Sequence, residues 1–134
     1  IQDLYTEYKE TSNINFLGRI DHDKLPEVYA KADVFVLPSL SEGMSLVGLE
    51  AMATGLPLLC SRNCGVNDVV EDNKNGWILD SISAMGIAEA LNKINDERAN
   101  IPQMGVAARK TAEKYTWDFY KKNMIKTIYE ILGE

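Results

Sequence analysis

Histidine is all but absent from this chain, cysteine occurs twice, and neither a long apolar run nor a block of basic charge is present. Each scarcity removes a class of function. His22, the one histidine, stands with neither a metal cluster nor a nucleophile and reads as a surface or capping residue. Cys60 and Cys64 are separated by three residues, which suits neither the C-x-x-C of zinc sites nor a disulfide framework. They read as two reduced thiols, Cys60 ending a buried strand and Cys64 in the loop after it, as in a reducing compartment. No stretch approaches the roughly 18 apolar residues of a membrane span, and the first residues lack the basic-then-apolar order of a signal peptide. A cytosolic location is the expectation. With 14 Lys and Arg scattered among 20 Asp and Glu, the net charge of −6 gives no general reason to bind nucleic acid. Anion binding must come from a local site. The chain opens Ile-Gln-Asp rather than with Met, which suggests a piece of a longer protein.

What the chain does have is an ordinary globular composition, 46% hydrophobic and 25% charged over 134 residues, which is room for one domain and one core. "NINFLG" (13–18) alternates apolar and polar residues and reads as a short strand. A helix follows over 23–31 with Asp23 as its cap. "DVFVLP" (33–38) is an apolar strand of the kind found in parallel sheets covered on both faces. The pattern then predicts a helix over 46–54 closed by Gly55, a strand at 57–61, a helical turn at 67–71 and a strand at 76–80. Helices at 83–95 and 102–115 complete the alternation. The last element, 116–132, places Trp117, Tyr120, Met124, Ile125, Ile128, Tyr129 and Leu132 on one helix face. The order predicts an α/β domain with a Rossmann-like parallel sheet and helices on both faces. "IQDLYTEYKETS" reads as the end of a helix, so the central strand that opens a doubly wound sheet is expected to be missing.

Chemistry concentrates in "PSLSEGMSLVGLEAMATG" (38–55). A helix over 46–54 is apolar in almost every direction and is expected to be buried, so Glu50 needs a partner: an isolated buried charge is prohibitively costly. Helical side chains lean toward the N-terminus, which carries Glu50 back over the first turn toward Glu42. Both glutamates are then expected to face one crevice beyond the carboxyl ends of the strands. Between them, Gly43 permits close approach and Ser45 is a candidate cap, leaving the amides of 44–47 at a helix N-terminus suited to phosphate. A carboxylate on either side of a phosphate position suits a ligand with hydroxyls on both flanks, as a nucleotide sugar has.

"FLGRI…LPEVYAKADVFVLPSLSEGMSLVGLEAMATGLPLLCS…GVNDVVEDNKNGWIL", together with "YTWDFY", resembles the donor-binding C-terminal domain of retaining glycosyltransferases of family 4, which have the two-domain GT-B fold. The resemblance covers nearly the whole chain, 1–134, read as a single partial domain whose acceptor-binding N-terminal partner is absent. It implies that Glu42 hydrogen-bonds the transferred sugar and takes part in catalysis, and that Glu50 holds the ribose diol. It assigns Gly43, Met44, Ser45 and Leu46 to the distal phosphate and sugar, and Arg19 and Ile20 to the base. Ser45 stands where the family often has glycine, placing a side chain near the sugar. The family's diphosphate-binding Arg and Lys come from the expected missing region; Arg62 and Lys74 read as surface charges.

The implied activity is transfer of a sugar, with retention, from an NDP-sugar to a glycan, lipid or small-molecule acceptor, in cell-surface polysaccharide or glycolipid synthesis. No cofactor and no metal is expected, since amides and basic side chains supply the charge stabilisation. Retention implies attack from the leaving-group face, with no protein nucleophile. The full-length enzyme is expected in the cytoplasm, extending to peripheral association with the inner membrane face, and the isolated fragment is expected to be inactive and to self-associate. The alternative is a non-catalytic GT-B half that binds a nucleotide sugar or a protein partner; an epimerase of the same fold lacks this glutamate spacing.

Overall fold

The uninterrupted apolar run at "PLLCS" has to be covered on both faces, and in the computed structural model, which describes Tyr8 and residues 13–133, it becomes the central strand. Strand β2 (Leu58–Ser61) lies between β1 (Phe35–Leu37) and β3 (Gly76–Leu79) in a parallel sheet of order β1-β2-β3. Val36, Leu59 and Trp77 stand in register across it. All four residues of β2 are buried, as a central parallel strand requires.

Helix α1 (Leu25–Tyr29) precedes β1, and α2 (Leu46–Ala53) joins β1 to β2. A 3-10 turn (Gly65–Val69) joins β2 to β3, after which come α3 (Ala84–Asp96), α4 (Ile101–Ala112) and α5 (Trp117–Leu132). Alternate residues of β2 feed two cores. Leu58 and Cys60 pack with Met52, Val66, Ala108 and Ala112 on one face; Leu59 packs with Trp77, Leu79, Ile94 and Met104 on the other. α4 serves both. A smaller cluster of Tyr29, Ala51 and Leu56 holds α1 against α2. Side chains start the long helices: Ser83 Oγ accepts from the Gly86 amide and Thr116 Oγ1 from the Phe119 amide.

The α/β architecture with helices on both sheet faces is as the alternation predicts, and three elements differ from it. Residues 14–18 belong to no strand, and Ile14, Phe16 and Leu17 are exposed. Alternation specifies a face but not a neighbour, and a strand exists only against a partner strand. The helix expected over 23–31 is a 3-10 turn (His22–Lys24) running into α1, with Asp23 inside the turn instead of capping it. The helical turn expected at 67–71 lies two residues earlier, where the Asn67 amide closes on the Cys64 carbonyl at 2.8 Å. The reading of the first dozen residues falls outside the described residues, Tyr8 apart.

Candidate functional site

Three parallel strands deliver their carboxyl ends to one edge, where the loop 38–45 leaves β1 and the loop 62–64 leaves β2. The two loops are stitched together. The Glu42 amide donates to the Asn63 carbonyl at 3.1 Å, and the Gly65 amide donates to the carbonyls of Glu42 at 3.0 Å and Gly43 at 3.1 Å. A Cβ at residue 65 would lie 2.8 Å from the Gly43 carbonyl carbon, so only glycine lets the backbones close. Ser61 Oγ donates to the Ser39 carbonyl at 2.5 Å, and Ser39 Oγ donates to Glu42 Oε2 at 2.8 Å. The Cys64 thiol approaches the same oxygen at 3.7 Å.

Past Glu42 the chain enters α2. Gly43, Met44 and Leu46 are exposed. The amides of Gly43, Met44, Ser45 and Leu46 have no acceptor among the described residues, and they lie at the positive end of the helix dipole. Ser45 takes the cap position with extended backbone, yet its side chain caps nothing. Its Oγ is buried without a hydrogen-bond partner among the described residues, and the residue is 3% exposed. The hydroxyl is turned into the fold, and the Ser45 amide is at the helix end.

Glu50 is placed differently from expectation. α2 buries Gly48, Ala51 and Met52 against α4, the sheet and Tyr29 of α1, while Leu46 and Val47 in its first turn are exposed. The Glu50 side chain is 35% exposed, with His22 Nε2 3.9 Å from Oε1. The side chain is partly exposed beside His22 instead of being held by a buried partner. The carboxylate also helps raise the Tyr29 phenol above its ordinary range, after burial as the larger cause. Arg19 is exposed and Ile20 half-buried; they follow Gly18, whose φ of +65° turns the chain before His22. The two glutamates therefore have separate neighbourhoods, Glu42 against the exit of β2 and Glu50 beside the segment that continues from Arg19 and Ile20. Two cavities, about 370 Å³ beside Trp77 and Arg62 and about 420 Å³ beside Val34 and Arg98, lie away from both glutamates.

Burial pushes the Cys60 thiol up to about 11, with Cys64 nearby adding to it, and also raises Cys64, so both stay protonated at neutral pH. Both are free thiols. Arg62 pairs with Asp80 and Lys74 with Glu71 at the surface. The one D-x-D spacing, Asp21-His22-Asp23, lies on exposed residues, with Asp21 paired to Lys24. No three His, Cys, Asp or Glu side chains gather among the described residues.

Reading the sequence alone misses Ser39, Gly65 and Cys64 as parts of this edge, and His22 as the neighbour of Glu50. The only local signal is the spacing Ser39-x-x-Glu42, which lets a hydroxyl reach back along a loop. The others come from segments distant in sequence.

The glycosyl transferases group 1 profile matches residues 1–112. The sulfoquinovosyl transferase SQD2 of Arabidopsis thaliana is 36% identical over 105 residues, 76% of this chain and 21% of that protein. A GDP-mannose-dependent alpha-(1-6)-phosphatidylinositol monomannoside mannosyltransferase of Mycobacterium tuberculosis is 32% identical over 114 residues, 79% of this chain and 30% of that one. Sucrose-phosphate synthase from Thermosynechococcus elongatus superposes with a TM-score of 0.83 at 28% identity, over 98% of this chain and 33% of the other. The chain thus spans about a fifth to a third of the length of these proteins. With a parallel sheet covered on both faces and GT-B glycosyltransferases as its structural neighbours, the chain belongs to the glycosyl transferases group 1 family.

Proposed function

We propose that this chain is the nucleotide-sugar-binding domain of a retaining glycosyltransferase acting on a glycan, lipid or small-molecule acceptor. The observation that carries the reading is the run of four uncommitted amides, Gly43 to Leu46, at the start of α2 with Glu42 before it and Glu50 one turn after it. Amides at a helix N-terminus suit the distal phosphate of an NDP-sugar, and they stabilise the charge that grows on the diphosphate as the sugar leaves. Glu42 then accepts from a sugar hydroxyl, Glu50 from the ribose, and the backbone at Arg19 and Ile20 meets the base. The acceptor attacks from the face the diphosphate leaves, which gives retention without a protein nucleophile. Family membership supports a transferase, and the mannosyltransferase relative is by name GDP-mannose-dependent.

The test is turnover of the full-length protein with a panel that includes UDP-glucose and GDP-mannose, scored by donor hydrolysis and transfer, with the product anomer read by NMR. Glu42→Ala is expected to lower turnover more than it lowers UDP or GDP binding, because free nucleotide lacks the sugar. Equal losses would move Glu42 to a structural role. Binding of a donor with no turnover by the full-length protein would favour a non-catalytic module.

A further inference from the structure

We propose that Cys64 and Ser39 are positioning residues for Glu42, holding its Oε2 so that Oε1 is the atom presented to the transferred sugar; this rests on the reading of Glu42 given above. The two carboxylate oxygens are not equivalent. Oε2 accepts from Ser39 Oγ at 2.8 Å and lies 3.7 Å from Cys64 Sγ, whereas Oε1 has no partner among the described residues. An exposed glutamate has three rotatable bonds to freeze on binding, and two donors converging on one oxygen remove much of that cost beforehand.

The donors are themselves fixed. Cys64 is 1% exposed and sits in a backbone bridge with Glu42, so thiol and carboxylate share one rigid frame. Ser39 is tied through its carbonyl to Ser61 at the end of β2. The path Ser61, Ser39, Glu42, Cys64 links the last buried residue of the central strand to the carboxylate. Burial, opposed by a hydrogen bond with the Val66 backbone and reinforced by Glu42, keeps the thiol protonated and therefore a donor. A thiol is a weak donor. It can set the orientation of a carboxylate while leaving its charge available to a ligand.

The experiment measures UDP-glucose and GDP-mannose binding, each against UDP or GDP alone, by calorimetry on the full-length protein. Cys64→Ala and Ser39→Ala are each expected to weaken nucleotide-sugar binding roughly two- to fivefold and to leave nucleotide binding unchanged. Cys64→Ser, which keeps a donor, should recover most of the loss. In a Glu42→Gln background neither alanine change should add a further loss, because both act through that carboxylate. Equal weakening of nucleotide and nucleotide sugar, or losses that add to Glu42→Gln, would mark these as packing residues and overturn the proposal. Ser39→Ala removes only a half-buried hydroxyl, so it carries the comparison where Cys64→Ala lowers the folded population.

Glu42→Gln separates the two readings. If it weakens sugar and nucleotide alike, or if the parent protein binds neither sugar, the role of Glu42 falls and the proposal with it. If Glu42→Gln is selective for the sugar while Cys64→Ala and Ser39→Ala are neutral, this proposal alone falls. The contact has a ligand-free readout as well. In a Cys60→Ala background, Glu42→Gln should lower the pH at which Cys64 ionises, followed by ultraviolet thiolate absorbance; an unmoved midpoint would overturn the contact.

Discussion

Glu50 accepts no hydrogen bond from a donor among the described residues, His22 Nε2 lying 3.9 Å away, and a ribose diol would supply it with two donors. A carboxylate accepts from both hydroxyls, whereas a carboxamide turns a donor toward one of them. Glu50→Gln is therefore expected to cost about 1.5 kcal/mol of nucleotide-sugar binding, the lower end for a charge-assisted bond because the side chain is 35% exposed. Unchanged affinity by calorimetry, with an unchanged melting temperature, would remove the ribose assignment. A second residue-scale prediction concerns pH. The folded state holds the Cys60 thiol up to about 11 against an ordinary value of 9.0, so it favours the protonated form. That contribution to stability is complete below pH 9 and is lost as pH rises toward 11. Cys60→Ala should show a shallower alkaline fall in unfolding free energy across that window, measured by urea denaturation at stepped pH; parallel slopes would deny the shift. At this scale the glutamates were legible because their spacing along one segment carries the signal. Cys64 was not, since its approach to Glu42 joins residues 22 apart and depends on the parallel register that lays the exit of β2 beside the exit of β1.

Between elements, close backbone approach decides which glycines are replaceable. A Cβ on Gly76 of β3 would overlap the Leu58 backbone of β2, and one on Gly105 of α4 would overlap the Gly55 carbonyl at the end of α2. Alanine is better than glycine inside a helix by about 1 kcal/mol, but at 105 the backbone it meets cannot yield as a side chain would. Gly76→Ala and Gly105→Ala are each expected to destabilise by about 2–3 kcal/mol. Gly43→Ala, with open space around it, should leave stability unchanged. Chemical denaturation of the three variants tests the order, and a Gly105→Ala protein as stable as the parent would show that α2 and α4 can part without cost. Element identity was readable wherever burial imposes a period: α2 starts at Leu46 as predicted and ends one residue early, with Gly55 at φ +88° closing it. The strand expected at 13–18 failed for the opposite reason. Its alternation is real, but hydrogen-bonded neighbours are supplied by topology rather than by the segment itself.

At the scale of the molecule, the apolar surface left uncovered is larger than the site. α5 buries no residue, and Trp117, Tyr120, Met124, Ile125, Ile128, Tyr129 and Leu132, the face its periodicity defines, are all exposed. Leu40, Met44, Leu46 and Val47 add further apolar side chains around the start of α2. Among the described strands β1 is at the sheet edge with no neighbour beyond it, whereas the turn after Asp72 folds back on β3, where the Ile78 amide donates to Asp72 Oδ1 at 3.2 Å and the Asn73 amide to the Gly76 carbonyl at 2.9 Å. The helical period of α5 was legible, because it is written in one segment; what lies against that face was not. A helix with this much exposed apolar side chain is unusual for a monomer in water, and a strand edge with no neighbour among the described strands adds a second route to association. The 134-residue chain on its own is therefore expected to self-associate at micromolar concentration. Ile125→Lys and Ile128→Glu place charge in the centre of the α5 face and should shift the population toward monomer without lowering the melting temperature, since neither side chain is buried. Light scattering on the parent and the two variants decides the matter. A monodisperse parent monomer would mean that these side chains tolerate water as they stand, and association unchanged by either substitution would move the contact from α5 to the open edge of β1.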